Sequence, residues 1–125
     1  MHLYHQAKTS NGPGAFPILD TLRCRYSSIT VAELEYGICK SQRQERNRAA
    51  LMQFLLPLEI VEFDQSAAII YGSIRSDLES RGLVIGSMDM LIAAHALSLN
   101  LILVTNNIQE FSRVPMLALE NWVKS

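Results

Sequence analysis

The chain has 125 residues, a mass of 14.0 kDa and a formal net charge of -1, from 11 Lys and Arg against 12 Asp and Glu. This length supports one hydrophobic core rather than two, and a content of 49% hydrophobic and 18% charged residues excludes a disordered or low-complexity chain. The balanced charge excludes a generally basic nucleic-acid-binding protein, so any basic surface must be local.

The cysteines and the hydropathy indicate a cytoplasmic location. Cys24 and Cys39 form no C-x-x-C motif and are too few for a disulfide framework. No apolar run approaches the roughly 20 residues that span a bilayer, and the N-terminus lacks a signal-like apolar segment. We therefore expect a soluble cytoplasmic protein without membrane association.

The N-terminal segment over residues 1–17 shows no helical or strand period, and its Asn-Gly-Pro-Gly sequence at 11–14 favours a turn or coil. It is interpreted as a loose arm. His2 and His5 could bind a metal together, but a solvated pair is expected in such an arm. Residues 18–22 favour a short strand or a helical turn.

The next segments alternate strands with helices. A capping box between Thr30 and Glu33 indicates a helix start, and Pro57 stops a second helix of the same hairpin. The predicted elements are a strand over 25–29, a helix over 30–39, a basic segment over 40–48, a helix over 49–56 and a strand over 58–63.

The remaining segments contain the most apolar part of the chain, residues 86–107. Asp64 is a good N-cap for a long helix that ends near Gly82. Ser87 can cap a helix that is apolar on almost every face and ends at Asn100, and 101–105 is the apolar run of a strand buried on both sides. A brief helix through Phe111 and a strand over 116–119 follow.

This order of elements predicts an α/β fold with a central parallel sheet of about four strands flanked by helices. Three polar residues, Glu33, Asp89 and Asn107, follow strands or begin helices, so the sheet could bring them to one edge. Two carboxylates held close together repel each other unless a cation neutralises them. Mg²⁺ suits such oxygen ligands and can activate water for phosphodiester hydrolysis.

Each of these residues also has a purely structural explanation. Glu33 could serve only to close the capping box with Thr30, and Asp89 could favour the dipole of its helix without a metal. Asn107 is an ordinary turn or N-cap residue. These alternatives remain open for each residue taken singly.

Several separate motifs nevertheless recur in the order and spacing of a known family. They are SSITVAELEYG at 27–37, GSMDMLIAAHA at 86–96, LVTNN at 103–107 with Glu110 and Phe111, and ENW at 120–122. On these motifs, residues 25–123 resemble PIN-domain ribonuclease toxins of the VapC type, the toxins of toxin-antitoxin systems.

The resemblance implies a PIN-like three-layer fold and an endoribonuclease that depends on Mg²⁺ or Mn²⁺. It also implies a VapB-type antitoxin as partner, a homodimer, and RNA of the tRNA class as substrate. By motif, Glu33 and Asp89 would be catalytic and metal-binding, and Asn107 would stand where many relatives have Asp.

The N-terminus departs from this pattern. The family begins with a strand that ends in Leu-Asp-Thr-Asn, and only Asp20 imitates its metal-binding Asp here. A parallel crossover needs about 10 to 12 residues, and fewer separate Asp20 from the strand at Arg25. We therefore divide the chain into an atypical or truncated arm over 1–24 and a PIN-like domain over 25–125.

Loss of a first strand would uncover apolar surface on 101–105, and loss of its carboxylate would weaken metal binding. Asp20 could substitute only if the arm folded back. The alternative function is therefore a catalytically impaired PIN-like protein that binds antitoxin or RNA without cleaving it.

Other candidates have two interpretations each. The basic residues of the hairpin could contact RNA phosphates or form a solvated tip; they are Lys40, Arg43, Arg46 and Arg48. His95 lies on a different helix face from Asp89 and is predicted to be a hydrogen-bonded core histidine. Phe111 and Trp122 are predicted to fill the core rather than stack on bases.

Overall fold

The computed structural model describes residues 2–6 and 24–121. These residues form five strands and five helices, numbered here in chain order. The strands are β1 (Leu3–Gln6), β2 (Arg25–Ser27), β3 (Glu59–Val61), β4 (Leu101–Val104) and β5 (Leu119–Glu120). The helices are α1 (Ser28–Lys40), α2 (Gln44–Leu55), α3 (Gln65–Ser80), α4 (Ser87–Leu99) and α5 (Ile108–Phe111).

The strands form one sheet in the order β3-β2-β1-β4-β5. β2 pairs in parallel with β3, and β4 pairs in parallel with β5. β1 lies between the two pairs and is antiparallel to both of its neighbours. The predicted α/β architecture with four parallel strands is confirmed, and the structure adds a fifth, antiparallel strand at its centre.

The central strand β1 corrects the interpretation of residues 1–17 as a loose arm for residues 3–6, whereas residues 7–17 lie outside the described residues. Leu3–Gln6 pairs with β4 along its whole length, from Leu3 opposite Val104 to Gln6 opposite Leu101. The Tyr4 side chain is completely buried, and its hydroxyl donates a hydrogen bond to the Ile92 carbonyl oxygen at 2.7 Å. The open hydrogen-bonding edge and apolar faces of β4 drive this pairing, which sequence periodicity over four residues does not reveal.

β1 also bears on two further expectations about the N-terminus. Loss of a first strand is expected to uncover apolar surface on β4, but β1 pairs along the edge of β4 and Leu103 is fully buried. The expected solvated pair of His2 and His5 is wrong, because His5 is buried, His2 is half-buried, and the strand pleat directs them to opposite faces of the sheet. Asp20 and residues 18–22 lie outside the described residues, so the boundary between 24 and 25 stays a prediction.

The helix and strand over 86–107 match their prediction closely. α4 has its middle residues buried, and Asn100 ends it in the left-handed conformation with φ of 56°. The predicted Ser87 cap is wrong by one residue: Gly86 occupies the N-cap position, and Ser87 is the first helical residue. Leu101 and Leu103 continue the core into β4.

The α1–α2 hairpin forms as predicted, but α1 begins earlier than the proposed capping box. The N-cap is Ser27, whose hydroxyl accepts a hydrogen bond from the Ile29 backbone N–H at 3.0 Å. Thr30 lies within the first turn and is buried. Glu33 therefore has no capping role, because a serine already provides the acceptor at the helix start.

The other elements lie near their predicted positions. Asp64 caps α3 by accepting a hydrogen bond from the Ala67 N–H at 3.0 Å, and the turn after α3 has Gly82 at φ 67°. The last strand is shifted from 116–119 to Leu119–Glu120. Cys24 is buried and Cys39 is exposed. Among the described residues, no helix is long and apolar enough to cross a membrane.

Candidate active site

The candidate site is a pair of carboxyl groups at the sheet edge where the parallel strands end. Asp89 lies in the first turn of α4, and Glu110 lies in α5, just beyond β4. Glu110 Oε1 accepts a hydrogen bond from the Gly86 backbone N–H at 3.0 Å, and Glu110 Oε2 accepts one from Asn107 Nδ2 at 2.5 Å. Asn107 and the start of α4 thus hold Glu110 against Asp89.

Gly86 permits this close approach. A Cβ atom at that position would lie 3.3 Å from Asp89 Oδ2 and 3.8 Å from Glu110 Oε1. A larger residue would crowd both carboxyl groups. The absence of a side chain at Gly86 therefore leaves room for the carboxyl groups of Asp89 and Glu110.

The two carboxyl groups have opposite pKa shifts. The pKa of Asp89 is raised to about 6, mainly by burial and also by the neighbouring Glu110 carboxyl group and the charge of Glu33. The Gly86 N–H lowers the pKa of Glu110. The proton shared by the pair therefore belongs mainly to Asp89, while Glu110 stays ionised.

Glu33 joins this edge from α1. Its pKa is raised by burial, and its charge contributes to the raised pKa of Asp89, so the two groups lie within electrostatic range. The structure thus brings all three predicted site residues to one region: Asn107 and Asp89 both contact Glu110, and Glu33 acts on Asp89 through its charge.

Sequence reasoning missed Glu110 as a member of the site. The residue belongs to the recurring motifs, and it follows Asn107 by three positions, a spacing that places two side chains on the same face of a helix. This spacing could have identified Glu110 as a neighbour of Asn107 from the sequence alone. Among the acidic residues, Glu110 is the one that contacts both Asp89 and Asn107 in the part of the chain described.

His2 was also missed, and it reaches the same edge because β1 begins there. Its Nδ1 lies 3.0 Å from Thr105 Oγ1, and its ring packs edge-on against Phe111 with centroids 5.2 Å apart. Nε2 lies 3.7 Å from Asp89 Oδ1. Burial lowers the pKa of His2 to about 4, against the opposing effect of Glu110, so the ring is neutral near pH 7.

His95 has the core role predicted for it. The residue is 1% exposed, its Nδ1 lies 2.8 Å from Ser27 Oγ, and Tyr4 and Phe63 pack edge-on against its ring. Burial lowers its pKa. Phe111 is likewise a core residue, as predicted, and Trp122 lies outside the described residues.

The basic residues of the hairpin lie away from the core. Arg48 forms an ion pair with Glu35, and Lys40 Nζ lies 5.2 Å from the centroid of the Tyr36 ring. Arg43 and Arg46 line an open depression at the tip between α1 and α2. Both interpretations of these residues, an RNA contact or a solvated tip, stay predictions.

Comparisons with known proteins place this geometry in a family. The PIN domain matches residues 15–117. Ribonuclease VapC2 of Rickettsia felis is 52% identical over 98 residues, which cover 78% of this chain and 73% of the relative. The tRNA(fMet)-specific endonuclease VapC of Salmonella typhimurium is 45% identical over 104 residues, which cover 83% and 79%. The chain belongs to the PIN-domain family, in its VapC branch.

The solved structures agree. The crystal structure of VapBC2 from Rickettsia felis, bound to a DNA fragment from its promoter, superposes with a TM-score of 0.76 at 52% identity and covers 78% of this chain and 73% of that one. The PIN match begins at residue 15, so β1 and His2 of this VapC-type chain lie outside it. The antiparallel central strand is thus formed by residues that the family match does not include.

The VapC family implies a bound divalent cation, and the donor chemistry of the edge fits one. Within residues 2–6 and 24–121, no three His, Cys, Asp or Glu side chains converge as a metal-binding group. Mg²⁺, however, keeps several waters and binds through as few as one or two carboxylates. Asp89 and Glu110 are such a pair, and a cation would offset the burial and the charge of Glu110, which together raise the pKa of Asp89.

Proposed function

We propose that this VapC-type chain is a Mg²⁺-dependent endoribonuclease toxin that hydrolyses phosphodiester bonds of RNA, with tRNA as its substrate class. The observation that carries the proposal is the approach of Asp89 and Glu110 at the ends of the parallel strands. Gly86 lies against both carboxyl groups, and Asn107 donates a hydrogen bond to Glu110. The charge of Glu33 contributes to the raised pKa of Asp89. The names of the VapC relatives, a ribonuclease and a tRNA(fMet)-specific endonuclease, support the substrate class.

The predicted residues Glu33, Asp89 and Asn107 would hold the cation, Mg²⁺ or Mn²⁺, together with Glu110, which Asn107 orients by a hydrogen bond. When bound, the ion would acidify a water molecule and offset charge on a phosphate oxygen. Asp89 must first release its proton, because only the ionised carboxylate binds a hard cation. Glu110 remains ionised throughout, since the Gly86 N–H and the Asn107 amide orient its two oxygens.

The activity is tested by incubating the antitoxin-free chain with initiator tRNA and with an elongator tRNA, in Mg²⁺ and in EDTA. Asp89→Asn should lower cleavage by about 100-fold or more, because loss of a ligand costs more than the 10 to 100-fold that loss of a group orienting a ligand costs. Asp77→Asn is the matched control, since this exposed residue on α3 pairs with Arg81. Equal cleavage by the wild type and Asp89→Asn would exclude the proposed site.

A catalytically impaired protein is the second candidate. The observation in its favour is that β1 runs antiparallel and brings an imidazole, His2, rather than a carboxylate to the edge. Such a protein would bind tRNA without cutting it. Absence of cleavage by the wild type, with retained tRNA or antitoxin binding in a mobility-shift assay, would establish this alternative.

We propose a VapB-type antitoxin as the partner and a homodimer as the assembly. Similar structures are VapBC complexes. In this chain α2 has no buried residue, and Met52, Phe54 and Leu56 are 66%, 53% and 85% exposed. Met52 and Leu56 are four residues apart and therefore lie on the same face of α2. An exposed apolar face of this kind is typical of a protein interface, so we assign it to the antitoxin. Replacement of Met52 and Leu56 by Ser should weaken co-purification of the antitoxin without unfolding the chain.

A further inference from the structure

The central strand brings a nitrogen donor to an edge otherwise made of oxygen donors. Leu3 pairs with Val104, so the residue before Leu3 lies beside Thr105, at the carboxyl end of β4. That residue is His2, whose side chain is 15% exposed. Because β1 is antiparallel to its neighbours, its beginning rather than its end lies beside Asp89.

The His2 ring is held in one orientation. Phe111 packs against it edge-on, and Thr105 Oγ1 lies 3.0 Å from Nδ1. The same Oγ1 accepts a hydrogen bond from the Asn107 backbone N–H at 3.0 Å. When Nδ1 carries the ring proton and donates it to Oγ1, the lone pair lies on Nε2, which faces Asp89. A histidine that binds a metal typically has its other nitrogen engaged in this way.

The distance between His2 Nε2 and Asp89 Oδ1, 3.7 Å, is too long for a hydrogen bond. Two ligand atoms that share one cation, each about 2.1 Å from it, lie about 3.0 to 3.4 Å apart at octahedral or tetrahedral angles. The observed gap is a few tenths of an ångström wider than that. Small side-chain shifts would therefore let both atoms contact one ion.

We propose that His2 Nε2 is a cation ligand beside Asp89, so that the site of this chain combines imidazole and carboxylate donors. The proposal deepens the proposed function, since it assumes that the carboxyl pair takes a cation. Imidazole favours borderline ions such as Co²⁺, Ni²⁺ and Zn²⁺, whereas all-oxygen sites suit Mg²⁺. We therefore expect His2 to raise the affinity for Co²⁺ much more than the affinity for Mg²⁺.

His2, Asp89 and Glu110 form a chain of pairwise contacts, with Asp89 in the middle. His2 thus takes a position at the edge to which β1 itself brings no carboxylate. A packing role of His2 against Phe111 is the competing explanation. The His2→Phe variant distinguishes packing from metal binding, because it keeps an aromatic ring but has no ring nitrogen.

The experiment is isothermal titration calorimetry of the full chain with Co²⁺ and, separately, with Mg²⁺. His2→Phe should weaken Co²⁺ binding by about 10-fold or more and Mg²⁺ binding by less than about 3-fold. Gln6→Ala, at the exposed end of the same strand, is the control and should change neither affinity. Co²⁺ affinity of His2→Phe within twofold of the wild type would overturn the proposal.

Asp89→Asn distinguishes this failure from failure of the proposed function. Loss of Mg²⁺ and Co²⁺ binding in Asp89→Asn, with no effect of His2→Phe, would leave the acidic site intact and exclude only His2. Unchanged binding in Asp89→Asn would exclude the site itself. Should His2→Phe not fold, proton NMR of the Co²⁺-loaded wild type decides. A hyperfine-shifted imidazole signal assigned to the His2 ring, rather than to His5 or His95, supports ligation by His2, and its absence overturns the proposal.

Discussion

α4 and α2 have 13 and 12 residues, yet they relate to the rest of the chain in opposite ways. α4 buries six residues, in a run that includes Ile92 and His95, and its first turn holds Asp89 at the sheet edge. α2 buries none and exposes Met52 and Phe54. Packing in the core thus fixes the position of the acidic edge, whereas α2 stays at the surface and is free for the antitoxin contact proposed above.

The difference in burial between α4 and α2 is tested most directly by truncating one apolar side chain on each helix. Ile92→Ala on α4 should lower the free energy of unfolding by about 2 to 5 kcal/mol, because Ile92 is completely buried and its removal leaves a cavity. Met52→Ala on α2 should change it by less than about 0.5 kcal/mol. Urea denaturation measures both, and similar losses in the two variants would contradict the assignment of α2 to the surface.

The pH dependence of stability tests the first turn of α4. The folded-state pKa of Asp89 is raised to about 6 from an ordinary value of 3.8. The folded protein therefore binds the extra proton, and its stabilising effect is complete below pH 3.8 and is lost as the pH rises through about 6. Between these pH values, metal-free protein should lose up to about 2 kcal/mol from this group.

Asp89→Asn should flatten this part of the profile, and Glu45→Gln in the first turn of α2 is the matched control. Denaturation in EDTA from pH 4 to pH 7 provides the measurement. A wild-type profile that coincides with that of Asp89→Asn would show that the carboxyl pair does not share a proton.

The contribution of β1 is tested with a smaller change. Tyr4→Phe removes the buried hydrogen bond to the Ile92 carbonyl oxygen and should cost about 1 kcal/mol. Tyr36→Phe is the control, because Tyr36 on α1 is 65% exposed and the loss of its hydroxyl should have no measurable effect. Equal thermal stabilities of the two variants would argue that β1 does not occupy the centre of the sheet.

The smallest effect is expected at the ion pair that joins α2 to α1. Arg48→Ala removes the contact with Glu35 and should cost about 0.2 to 1 kcal/mol, because both side chains are more than 40% exposed. The loss should shrink further in 1 M salt, where charges on the surface are screened. A loss above 2 kcal/mol, or one insensitive to salt, would mean that the hairpin depends on a buried contact.

Local sequence signals predicted α4 and β4 well because their constraints are local. The long apolar run ends at Asn100, whose short polar side chain tolerates the left-handed conformation that ends the helix. Motif order then identified Asp89 and Asn107, and the structure brings both into contact with Glu110. Glu110 itself could have been found from its spacing to Asn107.

The positions of β1 and His2 could not be predicted from the sequence, because they depend on contacts with residues far along the chain. Leu3–Gln6 is too short to show a period, and its pairing depends on β4, about a hundred residues later. The capping box failed for a different reason: Ser27 and Thr30 both suit an N-cap, and only the end of β2 decides in favour of Ser27. Tertiary contacts thus settle what propensity leaves undecided.

The directions of β1 and β5 have a practical consequence for the design of affinity tags. β1 begins, and β5 ends, at the edge that holds Asp89, so a peptide joined directly before β1 or directly after β5 would start on that side. A polyhistidine tag would supply mobile imidazoles next to the carboxyl pair and compete for the same ions. Affinity handles for this protein should therefore be removable by protease and should leave no histidine behind.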